Sequence, residues 1–303
     1  MAVVAITGGT GFIGAHLARQ LVARGHFARL LARGITHRDD PITKEPNVHF
    51  SPAGVNEEKQ LTAAFGGADA VCHLVGINRE KNSGDFEKVH VQGTRTVVTA
   101  ANHAQVKKIV FVSFIHARKS RTSGYLNTKW QAEEIIRNSM LDYTVLKPGM
   151  VYGHGDQMVA SIVDGLHMFP VVGFWPTLGL LERPINPIFI DDMVDILIAS
   201  LVEGQLSNKT MAVIGPDKIG LSTCVRRVAK EMKKPVLPIP MPLLGQYMMA
   251  KWMENVMTEP LLSVAQVRML SEGMDKPLPG CEVLPADLAP KTPFSSKSIR
   301  ASI

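Results

Sequence analysis

Three glycines near the start of the chain carry its clearest chemistry. Gly8, Gly11 and Gly14 lie in the run Thr7-Gly8-Gly9-Thr10-Gly11-Phe12-Ile13-Gly14, between a β-branched stretch and a helical pattern. Each glycine has a steric reason. Gly8 permits a tight turn, Gly11 lets backbone N–H groups approach a diphosphate, and Gly14 lets the helix pack closely on the strand. The start of the helix, from Thr10 through Phe12 and Ile13, offers unpaired N–H donors and the positive end of a helix dipole. A glycine triplet alone is a weak signal. In a strand–turn–helix setting it predicts a site for the pyrophosphate of a dinucleotide.

The end of the next apolar run bears on which dinucleotide. A free ribose is met there by an acidic residue, whereas a 2′-phosphate attracts arginine. The chain reads Leu30-Leu31-Ala32-Arg33, with no acid before Asp39. Arg33, with Arg38 beyond it, suits bidentate pairing with a phosphate. This favours NADP and leaves NAD open.

These residues must be held by a sheet. Val3–Thr7, Phe27–Ala32, Ala70–Leu74, Ile109–Ser113 and Tyr143–Lys147 read as buried parallel strands, and Val48–Phe50 as a weaker one. Helical patterns separate them at Ala15–Arg24, Glu57–Phe65, Glu87–His103 and Asn127–Asn138. The alternation implies βαβ units and an α/β fold, a doubly wound parallel sheet of the Rossmann type over residues 1–150. Residues 151–303 read as a smaller C-terminal α/β lobe whose segments can interleave with the first. Prolines become dense there. Met193–Val202 and Thr223–Lys233 predict helices, and Thr210–Ile214 a strand. The proline run 235–242 predicts a break, after which Leu243–Met257 resumes as an apolar, Met-rich helix. Phe169, Phe174, Trp175, Leu178, Leu180 and Leu181 are candidates either for the lining of a hydrophobic pocket or for ordinary core.

The bulk composition narrows the classes. The 303 residues are 46% hydrophobic and 20% charged, as in a globular enzyme. Cys72, Cys224 and Cys281 are too far apart in sequence to suggest a zinc site or a disulfide framework. No apolar run approaches the ~20 residues needed to span a bilayer, and the first residues lack the pattern of a leader peptide. The expected location is the cytoplasm, or the periphery of the inner membrane. The net charge of +6 falls in short patches without interleaved aromatics, so no nucleic-acid partner is expected. The helix at 243–257 is apolar on much of its circumference and predicts either burial in the lobe or contact with a protein complex or membrane surface.

The chain resembles the extended and atypical short-chain dehydrogenases/reductases. The resemblance rests on the glycine run at 7–14, Tyr125-Leu-Asn-Thr-Lys129, Lys147-Pro-Gly-Met-Val-Tyr-Gly153, Pro187-Ile-Phe-Ile-Asp-Asp192 and Lys291-Thr-Pro-Phe294, in that order. It covers nearly the whole chain. Within that superfamily the chain is most similar to the branch holding the nucleotide-binding accessory subunit of respiratory complex I and its bacterial relatives. His73-Leu-Val-Gly76, the short gap from Ser113 to Tyr125, and Pro238-Ile-Pro-Met-Pro242 carry that likeness.

The resemblance implies an active-site dyad of Tyr125 and Lys129, one turn apart on a helix face. The lysine would lower the phenol's pKa and hold the nicotinamide ribose, so that the tyrosine exchanges a proton. It also implies that the backbone of Leu74, Val75 and Gly76 covers the adenine, and that Pro148 and Val151 touch the cofactor. Two departures stand out. Phe114 occupies the place of the usual catalytic Ser or Thr, leaving Ser113, one residue earlier, as the hydroxyl candidate. Gly54-Val55-Asn56 replaces an adenine-binding Asp, and Asn56 is its nearest substitute. Two functions follow: an NADP-dependent oxidoreductase acting on a small hydrophobic carbonyl or alcohol, or a non-catalytic subunit or redox sensor that holds NADPH. The oligomeric state stays open.

Overall fold

The computed structural model describes residues 1–33, 41–168, 173–178, 182–257 and 262–303. In chain order the elements are β1 (Val3–Thr7), α1 (Phe12–Ala23), β2 (Phe27–Ala32), β3 (Val48–Pro52), α2 (Glu58–Phe65), β4 (Ala70–His73), α3 (Gly93–His103), β5 (Lys108–Val112), α4 (Gly124–Arg137), β6 (Asp142–Pro148), β7 (Val151–Tyr152), α5 (Gln157–His167), β8 (Gly173–Leu178), β9 (Ile188–Phe189), α6 (Ile190–Leu201), β10 (Lys209–Val213), α7 (Leu221–Glu231), β11 (Val236–Met241), α8 (Leu243–Val256), α9 (Val264–Glu272), β12 (Glu282–Val283) and α10 (Ser296–Arg300). They form two units. The first holds Met1–Pro148, Met193–Ala212 and Pro279–Leu288; the second holds Gly149–Asp192, Val213–Leu278 and Ala289–Ile303. The chain therefore returns to the first unit twice beyond residue 150.

The first unit is built on an eight-stranded sheet in the order β12-β10-β6-β5-β4-β1-β2-β3. From β3 across to β6 every neighbouring pair is parallel. Both faces are covered, so the central strands are apolar without alternation; β4 and β5 are buried at every residue. Leu61, Phe65, Val97, Ala101, Ala132 and Ile136 close one face of this core. The predicted helix at 87–103 is divided. Glu87–Gln92 winds as a π-helix before α3 begins at Gly93. At Gly93 a β-carbon would lie 2.8 Å from Cγ2 of Val55, so the helix lies close against the segment that follows β3.

One ladder on α4 binds the helix to the sheet. Tyr125, Lys129, Glu133 and Arg137 recur every fourth residue and so share a face. Glu133 is fully buried. Its carboxylate accepts from Ser113 Oγ at 2.5 Å and from Lys147 Nζ at 3.0 Å, and pairs with Arg137. Lys147 also donates to the Ala117 carbonyl at 2.9 Å. Ser113 follows β5 and Lys147 lies in β6, so one carboxylate ties two strands to one helix.

In the second unit β7 pairs with β9, and β8 pairs in parallel with β11. The closing sequence motif is an anchor. Asp192 accepts from the N–H groups of Lys291 and Thr292 and from the Thr292 hydroxyl, and Phe294 packs on Tyr152 at 4.7 Å between ring centroids. The proline run 235–242 corrects the expectation of a break: Val236–Met241 is a strand. Pro238 and Pro240 alternate along it, so their missing donors fall on the same side, while Ile239 and Met241 hold the register with Pro176 and Leu178. Trp175 packs against α5, where a β-carbon on Gly165 would lie 2.4 Å from its ring. Phe169, Leu180 and Leu181 lie outside the described residues.

Replacing Glu133 with alanine leaves Lys147 buried without its counter-charge. Urea denaturation of Glu133→Ala is expected to show a loss of ~3–5 kcal/mol; a loss below 1 kcal/mol would show that the network carries no such weight.

Candidate functional site

The order of the sheet reverses between β1 and β4, which leaves a crevice at the carboxyl ends of those strands. The loops that follow them meet there. Leu74 N–H donates to the Thr7 carbonyl at 3.1 Å. Gly8 holds φ at 73°, a conformation that side chains disfavour, and a β-carbon on it would lie 3.2 Å from Cγ2 of Val75. The N–H groups of Gly8 and Gly9 both donate to the Leu31 carbonyl, which closes the turn. A β-carbon on Gly14 would sit 2.5 Å from the Gly8 carbonyl oxygen, so helix and turn interlock there.

This loop fits a diphosphate. Gly11 caps α1 without any side-chain hydrogen bond. The first-turn N–H groups around Phe12 and Ile13 are thereby left for a ligand. Gly11 itself is exposed. Thr10 stands half-buried beside it. Arg33, at the end of β2, is exposed and makes no hydrogen bond or ion pair among the described residues. Its stem lies 3.4 Å from where a Gly54 β-carbon would be, just past the carboxyl end of β2. Arg38 and Asp39 lie outside the described residues. Val55 is buried against Gly93, whereas Asn56 is exposed.

The dyad lies one loop away. Lys129 is buried, and its Nζ donates to the Val112 carbonyl at 3.2 Å and stands 5.1 Å above the Phe111 ring. The same nitrogen is 3.2 Å from where a β-carbon on Gly76 would be. Burial pulls its pKa down to about 8, with Glu133 opposing. Tyr125 is ringed by Phe86, His90 and Phe114, each with centroids 5.7 Å away. Burial pushes its phenol pKa up, which corrects the expectation that Lys129 lowers it. Desolvation disfavours the charged form of each group.

Ser113 is a second correction. Its hydroxyl proton goes to Glu133, so it is a structural tie and not a donor to substrate. Phe114, in the place of the family's hydroxyl, packs its ring edge on Tyr125. Pro148 ends β6 and accepts from the Ile115 N–H, while Val151 pairs with Ile188 in the second unit.

Sequence reasoning missed a chain of buried polar groups behind the site. Thr94 Oγ1 donates to the His90 carbonyl, so His73 Nε2–H donates to Thr94 and His73 Nδ1 accepts from Thr7. His90 Nε2 accepts the Ile77 N–H at 3.1 Å, and its Nδ1 meets Thr128 at 2.9 Å. Burial lowers the pKa of His73 to about 3 and of His90 to about 2, so both are neutral. The faint signal was two histidines in otherwise apolar or helical runs.

A switch-point Rossmann sheet with an uncapped glycine loop and a Tyr–Lys pair on one helix defines a dinucleotide-binding protein with the fold of the short-chain dehydrogenases/reductases. Residues 8–166 match the NAD(P)H-binding family, and the chain belongs to it. It is 28% identical over 201 residues to a ceramide reductase of Caulobacter vibrioides and 26% identical over 226 residues to the mitochondrial NADH dehydrogenase (ubiquinone) 1 alpha subcomplex subunit 9 of Arabidopsis thaliana. These matches cover 65% and 71% of this chain but only 60% and 54% of those relatives. An NADPH-dependent quinone oxidoreductase from Escherichia coli, solved with NADPH, shares the fold with a TM-score of 0.74 and 18% identity over 98% of either chain.

Two substitutions separate binding from folding. Gly11→Val puts its β-carbon 3.2 Å from the Gly8 carbonyl oxygen, so it should abolish nucleotide binding by calorimetry at a smaller cost in melting temperature than Gly14→Val. Gly14→Val collides with the turn and should lower stability outright. Unimpaired binding in Gly11→Val would move the phosphates elsewhere. Arg33→Ala should weaken NADPH by ~1.5–3 kcal/mol and leave NADH unchanged; equal wild-type affinities for the two would refute the 2′-phosphate assignment.

Proposed function

We propose that this protein is an NADPH-dependent reductase of a hydrophobic carbonyl compound. The observation that carries the reading is the setting of Tyr125: its phenol shares a helix face with buried Lys129 and is surrounded by aromatic carbon from Phe86, His90 and Phe114. When bound, the dinucleotide supplies the hydride. Tyr125 donates its proton to the carbonyl oxygen as the carbon–oxygen double bond becomes an alcohol. A phenol kept protonated by burial is the right species for that donation. Lys129 holds the ribose side of the site, through a nitrogen already beside Gly76. With Phe114 replacing a hydroxyl, Tyr125 is the one remaining oxygen donor of the expected set, and the ring favours apolar over polar substrates. Two of the similar proteins are named for ceramide and quinone, both apolar carbonyl-bearing or carbonyl-derived compounds, which supports the class.

A second reading, a non-catalytic NADPH-holding subunit or redox sensor, is favoured by the commitment of Ser113 to Glu133. The two are separated by following NADPH oxidation against a panel of apolar ketones, aldehydes and quinones. The expected result is turnover that Tyr125→Phe lowers by ~10²–10⁴-fold without loss of NADPH affinity. No oxidation with any substrate, together with a copurifying nucleotide that resists exchange, would establish the second reading.

A further inference from the structure

The helix α8 does not bury its apolar side. Only Gln246 and Ala250 are buried along its 14 residues. Leu244, Met248, Trp252 and Val256 recur every fourth residue, and their exposures are 73%, 67%, 60% and 63%. They form a stripe along one side of the helix. Single exposed apolar residues are ordinary, but a contiguous row of four is not. On the preceding strand Leu237 and Ile239 are also exposed, at 54% and 42%.

Lys251 and Asn255 are the exposed polar residues beside the stripe. The only acid of α8, Glu254, is not on it; it accepts from the Val264 N–H at the start of α9. Arg226 and Lys230 on α7, which packs against β11, and Lys233 just after that helix are exposed. The β11 strand is also a poor template for pairing with another strand, because Pro238 and Pro240 lack donors. An apolar row bearing Trp, with Lys251 beside it and no acid on it among the described residues, suits a helix that lies in a membrane interface. At ~1.5 Å per residue α8 is ~21 Å long, too short to cross a bilayer. Among the described residues no helix is long and apolar enough to do so.

We infer that the α8 face, with Leu244, Met248, Trp252 and Val256 inserted and Lys251 at the headgroups, docks the protein in the plane of an anionic lipid bilayer.

The test is flotation of the full chain with phosphatidylglycerol–phosphatidylcholine vesicles and with phosphatidylcholine vesicles, at low and high salt. The expected result is binding to the anionic vesicles that weakens with salt. Met248→Glu/Trp252→Glu should abolish it. Lys251→Glu, which spares the apolar row, should lower vesicle affinity at least about tenfold. All these positions are exposed, and retained NADPH binding with an unchanged circular dichroism spectrum verifies that the variants fold. Flotation with neither vesicle, or equal flotation of wild type and Met248→Glu/Trp252→Glu, would overturn the inference. So would a concentration-dependent dimer in sedimentation that the same double variant dissolves without any vesicle binding, since the face would then belong to a second copy.

Discussion

The burial of two opposite charges on one face of α4 constrains the rest of the site. Lys129 and Glu133 are one turn apart, and neither reaches water. A buried charge costs several kcal/mol unless its partners are in place. Glu133 finds them in Ser113, Lys147 and Arg137; Lys129 finds the Val112 carbonyl and the Phe111 ring. Apart from Arg137 on the same helix, those partners come from β5, the segment after it, and β6. The helix can satisfy its charges in one register only, and that register sets Tyr125 among Phe86, His90 and Phe114. The geometry of the candidate acid is therefore a consequence of electrostatics two turns further along the same helix.

The same economy governs the loops at the crevice. The backbone after β4 has to lie beside both Gly8 and Lys129, and its Ile77 N–H is satisfied by the neutral ring of His90. His90 sits in the π-helical turn that precedes α3, where an extra residue per turn re-aims side chains. Thr7, His73 and Thr94 form a parallel relay between β1, β4 and α3. Both histidines stay neutral because burial and the nearby Lys129 disfavour a second positive charge. The loops that would hold a dinucleotide thus rest on uncharged hydrogen bonds, while charge is kept at the dyad and behind it.

Much of the fold was legible in residues 1–148, because each parallel strand is a continuous apolar run and each glycine of the loop answers a steric demand. The second unit was less legible. Its strands are short or rich in proline, and β8 and β11 are recognisable only once they pair. On α8 the buried residues are Gln246 and Ala250 while Leu244, Met248, Trp252 and Val256 are exposed, the reverse of what hydropathy suggests, so composition could not say which side faces water.

The sequence alone determined the βαβ order, the phosphate loop at Gly8–Gly14, the arginine at the end of β2 and the helical spacing of Tyr125 and Lys129. These are local properties, set by backbone sterics and by periodicities of one or two turns. Tertiary structure decided the fate of Ser113, the direction of the Tyr125 pKa, the two neutral histidines and the exposure of Leu244, Met248, Trp252 and Val256. Each of these depends on which distant groups exclude water from an atom or leave it exposed, and desolvation is a property of the packed chain, invisible in the order of its residues.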